Sequence, residues 1–134
     1  MLRAVQLVIV RHAKAAAGEP DELRPLTAEG REAARALGEQ LAAEGLRPDA
    51  VLTSPLLRAR QTGAEVARPA GLEAEPDARL APGATAEDVK AAAEERGETV
   101  VVIGHQPDCS QIAAALTGGP EPAFAPCAML AIDV

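Results

Sequence analysis

The sequence is poor in aromatic residues, and this scarcity restricts the ligands it can bind. Aromatic residues make up 1% of the 134 residues, and Phe124 is the only one. Such a chain lacks the rings on which single-stranded nucleic acids and nucleobases stack. The formal net charge of −7 also repels phosphate backbones. We therefore expect no nucleic-acid partner.

Lysine, cysteine and long apolar runs are scarce as well. Lys14 and Lys90 are the only lysines among 13 cationic residues, so a ligand-binding cation is expected to be an arginine fork. Cys109 and Cys127 are too few for a disulfide framework or a zinc site, which favours reduced thiols in the cytoplasm. No apolar run approaches the roughly 20 residues of a membrane helix. Residues 1–10 lack a cleavage site and predict a strand, not a signal peptide.

Strand-like and helix-like patterns alternate along the chain. Its length predicts a single domain over residues 1–134. Strands are predicted at residues 5–10, 49–53, 72–75, 98–104 and 127–133. Helices are predicted at residues 28–44 with Thr27 as cap, at 54–68 with Ser54 as cap, at 85–97, and from 107 to the glycines at 118–119. This alternation predicts a three-layer α/β/α sandwich with a mostly parallel central sheet.

The two histidines each directly follow a predicted buried strand. His12 follows the strand at 5–10, and His105 follows the strand at 98–104. Ligands of open α/β sheets bind beyond the carboxyl ends of the strands. One histidine at such a position could simply mark the exit of the strand from the core. Because both occupy equivalent positions, we expect them to face one ligand.

Arginines near these strand ends predict an anion site. Arg11 precedes His12, and Arg58 lies about one turn inside the helix that Ser54 is expected to cap. Helix N-termini favour anions, so Ser54 is also counted as a substrate-binding candidate. Two guanidinium forks match the oxygens of a phosphoryl group. Arg60 lacks this position and is expected on a solvated helix face.

These residue types favour covalent catalysis by histidine. The chain has no Gly-x-x-x-x-Gly-Lys loop and no carboxylate cluster typical of Mg²⁺, which disfavours nucleotide-dependent transfer. No metal and no cofactor are expected. A neutral imidazole can attack phosphorus in line and give a phosphohistidine that water later hydrolyses. The arginines would hold the transferring oxygens, and His105 would donate to one of them.

Four segments resemble motifs of the histidine phosphatase superfamily, the phosphoglycerate mutase-like fold. They occur in the family's order, at residues 7–14 (LVIVRHAK), 24–30 (RPLTAEG), 51–62 (VLTSPLLRARQT) and 101–107 (VVIGHQP). The resemblance implies a minimal version of this fold without an inserted subdomain. Within the superfamily the chain is most similar to the SixA-type phosphohistidine phosphatases, which implies removal of phosphate from phosphohistidine on a protein.

The same resemblance assigns roles to five residues. It implies that His12 is the phosphorylated nucleophile. It also implies that Arg11, Arg58 and His105 complete the phosphate pocket, with Arg24 as a further substrate contact.

An acidic proton donor cannot be identified between Arg58 and His105, where larger family members carry one. The acids Glu73, Glu75, Asp77, Glu87 and Asp88 of this segment fit no donor motif of the family. An alkoxide leaving group normally needs a proton in the transition state. An imidazole leaves more easily, because its conjugate acid has a pKa of about 6.5. The missing donor therefore favours phosphohistidine over phosphoserine or sugar phosphates.

Other functions stay open at this point. The chain could be a phosphatase for a small phosphomonoester, or a phosphate-binding module without turnover. Cys109 could be a nucleophile, because it follows His105 by four residues. A mutase is disfavoured, since the chain is too short to enclose a bisphosphate. The expected partners are a phosphorylated protein or a small phosphoester, together with inorganic phosphate, and a monomer without membrane association is expected.

Overall fold

Five strands form the central sheet. The computed structural model describes residues 5–134, so the first four residues of the N-terminal prediction lie outside the described residues. The strands are β1 (Gln6–Arg11), β2 (Ala50–Thr53), β3 (Ala74–Pro76), β4 (Thr99–Gly104) and β5 (Met129–Asp133). Their order in the sheet is β3-β2-β4-β1-β5. All neighbouring pairs are parallel except β1 with β5, which is antiparallel.

Helices cover both faces of the sheet. They are α1 (Ala28–Ala43), α2 (Leu57–Ala67), α3 (Ala86–Ala93) and α4 (Asp108–Thr117), with short 3-10 turns at Asp21–Leu23, Arg68–Ala70 and Ala78–Leu80. One core contains residues of α1 and α2, and a second core contains residues of α3 and α4. The predicted three-layer α/β/α sandwich with a mostly parallel sheet is confirmed. No helix among residues 5–134 combines the length and the apolar character needed to cross a bilayer.

The alternation of side chains along β1 explains why its sequence is apolar throughout. Leu7 and Ile9 pack into one core, whereas Val8 and Val10 pack into the other. A strand covered on both faces has no solvent side, so polar residues are excluded from it. β4 has the same character and lies beside β1 in register. The pairing brings the two strand ends, and the residues that follow them, next to each other.

The start of the second helix differs from the prediction. α2 begins at Leu57, and Leu56 is its N-cap residue. Ser54 is not the cap, because its hydroxyl accepts a hydrogen bond from the Leu56 amide at 3.2 Å and closes a turn before the helix starts. By contrast, the predicted cap of α1 is confirmed, since the Thr27 side chain accepts a hydrogen bond from the Gly30 amide.

One further helix and one strand are shorter than predicted. α3 ends at Ala93, because Glu94 leaves the helical conformation with ψ of 130°. β5 starts at Met129 and not at Cys127. Cys127 has a φ of 65°, which is outside the extended region, and its amide donates to the carbonyls of Arg11 and His12. The remaining predicted helices and strands agree with the structure within one or two residues.

Candidate active site

The rings of His12 and His105 lie together at the carboxyl ends of β1 and β4. Their centroids are 5.2 Å apart, with an angle of 60° between the ring planes. The amide of His12 donates to the carbonyl of Gly104 at 3.0 Å, which extends the pairing of the two strands by one residue. The sheet thus produces the proximity that the sequence led us to expect.

The hydrogen bond of His12 defines which of its ring nitrogens is free. Nδ1 lies 2.7 Å from the carbonyl oxygen of Ala13. A carbonyl oxygen only accepts hydrogen bonds, so Nδ1 carries the hydrogen and Nε2 of the neutral ring keeps its lone pair. Burial lowers the pKa of His12, and the positive charges of Arg58, Arg11 and Arg24 lower it further, against the opposing effect of the Ala13 bond. The ring is therefore neutral at neutral pH.

His105 is also held in its neutral form. Its residue is 4% exposed, and burial, with the neighbouring His12 and Arg58, lowers its pKa to about 4. Nε2 lies 2.7 Å from the hydroxyl oxygen of Ser54, which is completely buried. The Ser54 hydroxyl therefore orients His105. This corrects its predicted role as the helix cap, whereas its role as a substrate contact stays a prediction.

Arg58 and Arg24 converge on one acidic residue, Asp21. Arg58 is 8% exposed, and its Nη1 donates to the Asp21 carbonyl at 2.9 Å while its Nη2 donates to Oδ2 at 3.2 Å. Arg24 donates from Nη1 to Oδ1 of Asp21 at 3.0 Å and from Nε to the carbonyl of Ala16 at 2.8 Å. Each terminal guanidinium nitrogen carries two hydrogens, so both side chains keep donors for a ligand.

Arg11 completes a set of three guanidinium groups that act on His12. Its Nη1 donates to the carbonyl of Phe124 at 3.0 Å. Its Nε is buried and has no hydrogen-bond partner among the described residues. A buried donor without an acceptor is unfavourable by roughly 1–3 kcal/mol.

The loop after His12 is held against α1 and α2. The amide of Ala13 donates to Oγ1 of Thr62 at 3.0 Å, and that hydroxyl donates to the carbonyl of Arg58 at 2.8 Å. A Cβ atom at Gly30 would lie 2.2 Å from the carbonyl oxygen of Lys14, so only glycine fits where α1 meets this loop. These contacts fix the backbone that carries His12 relative to the helix that carries Arg58.

Four of the acids between α2 and β4 have partners away from the histidines. The contacts pair Glu75 with Arg96, Asp77 with Arg79, Glu87 with Lys90 and Asp88 with Thr85. No acid of this segment forms a hydrogen bond with His12 or His105 in the described part of the chain. No group of three metal-ligating side chains was found among residues 5–134.

The acid that contacts the arginines of the site is Asp21, which lies in the turn before α1. The sequence patterns do not predict this contact. Hydrogen bonds from Arg24 and Arg58 hold the pKa of Asp21 below its ordinary value. The carboxyl group is therefore ionised at neutral pH and has no proton to give. Asp21 precedes the predicted substrate contact Arg24 by three residues, but no spacing in the sequence predicts its contact with Arg58.

The thiol of Cys109 does not fit the role of a nucleophile. The residue is 1% exposed, and burial raises its pKa to about 12. The reactive form of cysteine is the thiolate, which this environment disfavours. Burial also raises the pKa of Cys127, to about 11.

Comparison with known proteins identifies the family. The family model described as histidine phosphatase superfamily (branch 1) matches residues 7–82, a segment that includes His12, Arg24 and Arg58. The chain belongs to the histidine phosphatase superfamily. The matched segment ends before His105. The position of His105 beside His12 therefore rests on the ring geometry and not on the family match.

Individual proteins resemble the chain over most of its length. Phosphohistidine phosphatase SixA of Escherichia coli strain K12 is 33% identical over 127 residues, which are 88% of this chain and 78% of that protein. An uncharacterized protein of a Picosynechococcus strain is 38% identical over 105 residues, 72% of this chain, and the chain spans 61% of its length. A structure of protein histidine phosphatase SixA complexed with tungstate superposes with a TM-score of 0.85 at 32% identity, covering 95% of this chain and 86% of that one.

Proposed function

We propose that the chain is a phosphatase that removes the phosphoryl group from phosphohistidine on a protein, through a phosphorylated His12. The observation that carries this proposal is the neutral His12 ring, which has a free Nε2, lies beside the ring of His105 and has its pKa lowered by three guanidinium groups. The similarity to SixA and to its complex with tungstate, an oxyanion, supports the same conclusion.

The first step transfers the phosphoryl group to the protein. Nε2 of His12 attacks phosphorus in line, and the bond between phosphorus and the substrate imidazole breaks. The electron pair of that bond goes to the departing ring nitrogen, which takes up a proton from water. Arg11, Arg24 and Arg58 would stabilise the charge on the transferring oxygens. In the second step water attacks phosphorus, the bond to Nε2 breaks, and inorganic phosphate leaves as the water gives up a proton to solvent.

His105 would donate a hydrogen bond to the transferring group. Nδ1 of His105 has no hydrogen-bond partner among the described residues, whereas Nε2 contacts Ser54. When the Ser54 hydroxyl donates to Nε2, the ring hydrogen lies on Nδ1 and can reach an oxygen of the ligand. The low pKa of His105, about 4, makes the ring neutral at neutral pH before the substrate binds.

The leaving group is the feature that favours phosphohistidine over other phosphoesters. Asp21 is the acid that contacts the arginines, and its lowered pKa leaves it without a proton to donate. An imidazole leaving group tolerates this lack far better than an alkoxide does.

A protein substrate is further supported by Leu23, which is 59% exposed two residues after Asp21. Apart from Val134, it is the one large hydrophobic side chain that residues 5–134 leave exposed.

A panel of substrates tests the leaving-group argument. We expect kcat/KM for a histidine-phosphorylated carrier protein to exceed that for sugar phosphates by at least about 10²-fold, because general acid catalysis contributes about 10²- to 10⁴-fold to alkoxide departure. p-Nitrophenyl phosphate serves only as a control for activity, since its leaving group is also good. Comparable rates with a sugar phosphate would favour a small-molecule phosphatase and contradict the proposal.

The pH profile tests the protonation state of the nucleophile. The pKa of His12 is lowered from 6.5, so kcat/KM should be constant near neutrality and fall only below pH 6.5. It should then fall by about tenfold per pH unit, because imidazolium has no lone pair on Nε2. His105, with a pKa of about 4, stays neutral over most of this range. The measurement is kcat/KM from about pH 5 to 8 with uncatalysed hydrolysis subtracted; activity that rises steadily below neutrality would contradict this assignment.

A further inference from the structure

Asp21 contacts the guanidinium groups of both Arg24 and Arg58. Its Oδ2 and carbonyl oxygens accept from Arg58, and its Oδ1 accepts from Arg24. Arg58 lies in a buried position of α2, whereas the Asp21 side chain is 56% exposed in the turn Asp21–Leu23. An exposed carboxylate thus contacts two cations whose charges lower the pKa of His12.

The charges at the site show what this carboxylate changes. The three guanidinium groups of Arg11, Arg24 and Arg58 and the carboxylate of Asp21 leave a net charge of +2 while the histidines are neutral. A phosphate monoester carries about −1.5 to −2 at pH 7. Without the carboxylate the site would carry +3 and would attract inorganic phosphate, the product, more strongly.

We propose that Asp21 is a positioning residue that acts as an internal counter-anion, holding the guanidinium groups of Arg24 and Arg58 when no phosphate is bound and weakening the binding of phosphate. Phosphate binding then replaces or shares contacts that the carboxylate already makes. This inference rests on the phosphate-binding part of the proposed function and does not depend on the identity of the leaving group.

A different role for Asp21 would have the opposite effect on affinity. If Asp21 served only as an anchor for the arginines, its loss would disorder them and weaken phosphate binding. Asparagine in place of Asp21 keeps the shape, one side-chain acceptor and the backbone carbonyl that Arg58 contacts, and it removes the charge together with one of the two carboxylate acceptors. The sign of the change in affinity therefore separates the two roles.

The experiment is titration of the intact chain with inorganic phosphate by isothermal calorimetry. For Asp21→Asn we expect the dissociation constant to fall by about threefold to tenfold, as for one partly solvated charge a few ångströms from the anion. Glu22→Gln is the matched control: it removes the same charge from the same turn, but Glu22 contacts neither arginine. Its dissociation constant should change by less than about twofold.

Each outcome decides the proposal. An unchanged or higher dissociation constant for Asp21→Asn overturns it, and so does an equal decrease in Glu22→Gln, which would indicate a general effect of surface charge. Asp21→Ser removes the same charge with a shorter side chain and should change the affinity in the same direction. If the unmodified protein binds no phosphate at all, the proposed function fails; if it binds phosphate and Asp21→Asn does not bind it more tightly, only the role of Asp21 fails.

Discussion

Replacement of His12 by alanine is expected to abolish the phosphoenzyme and to lower kcat by at least about 10³-fold, because the neighbouring His105 ring contacts Ser54 through Nε2 and, in the proposed mechanism, carries its hydrogen on Nδ1, so it offers no free lone pair to the phosphoryl group. The measurement combines steady-state turnover with acid-labile labelling by a ³²P-phosphorylated substrate. The unmodified protein should carry the label transiently, and His12→Ala should carry none.

The same experiment separates the proposed enzyme from a binding module. His12→Ala retains Arg11, Arg24 and Arg58, so it should still bind inorganic phosphate and unfold at a similar temperature. Loss of label together with retained phosphate binding assigns the defect to the nucleophile and not to the fold. If the unmodified protein took up no label and released no phosphate, it would be a phosphate-binding module instead of a phosphatase.

Removal of the Arg58 guanidinium should have the second-largest effect. We expect kcat/KM of Arg58→Ala to fall by about 10²- to 10³-fold, as is typical when a donor to a developing oxyanion is lost. Arg58→Lys keeps the charge but not the planar fork, so its activity should lie between those of Arg58→Ala and the unmodified protein. The quantity to compare is kcat/KM for the same phosphohistidine substrate in all variants.

Arg60 provides the matched control for this prediction. It lies in the same helix, α2, but its side chain is exposed and forms no hydrogen bond or ion pair among the described residues. Arg60→Ala should therefore retain kcat/KM within about twofold, as expected of surface substitutions away from special features. An equal loss in both variants would mean that long-range charge, and not contact with the phosphoryl group, explains the role of Arg58.

The strands and the pairing of the histidines could be predicted because their causes are local in the sequence. Buried parallel strands consist of β-branched residues, and β1 and β4 show this composition directly. The carboxyl ends of parallel strands meet at one edge, so a histidine after each strand is informative without any knowledge of the tertiary structure. The family resemblance of the arginine segments then added the expected roles of Arg24 and Arg58.

The contacts of Asp21 and Ser54 could not be predicted in the same way. Asp21 meets Arg58 across 37 residues of sequence, and Ser54 meets His105 across 51 residues. Both contacts involve residues outside regular helices and strands, so no periodicity reports the directions of their side chains. A local pattern predicts Ser54 as a helix cap. Its hydroxyl instead contacts the ring of His105, which is distant in the sequence.

The register of β1 with β4 also determines how far the active site can be adjusted by mutation. Arg11 pairs with Gly104, and the histidines follow at the next position of each strand. The centroid separation of 5.2 Å is close to the spacing of adjacent strands, about 4.8 Å. The pairing of the two backbones thus sets the distance between the two histidine rings. Substitution of core side chains should leave this distance nearly unchanged. Deletion of one residue within β4 would instead turn His105 toward the opposite layer, because successive side chains alternate between the faces of a strand.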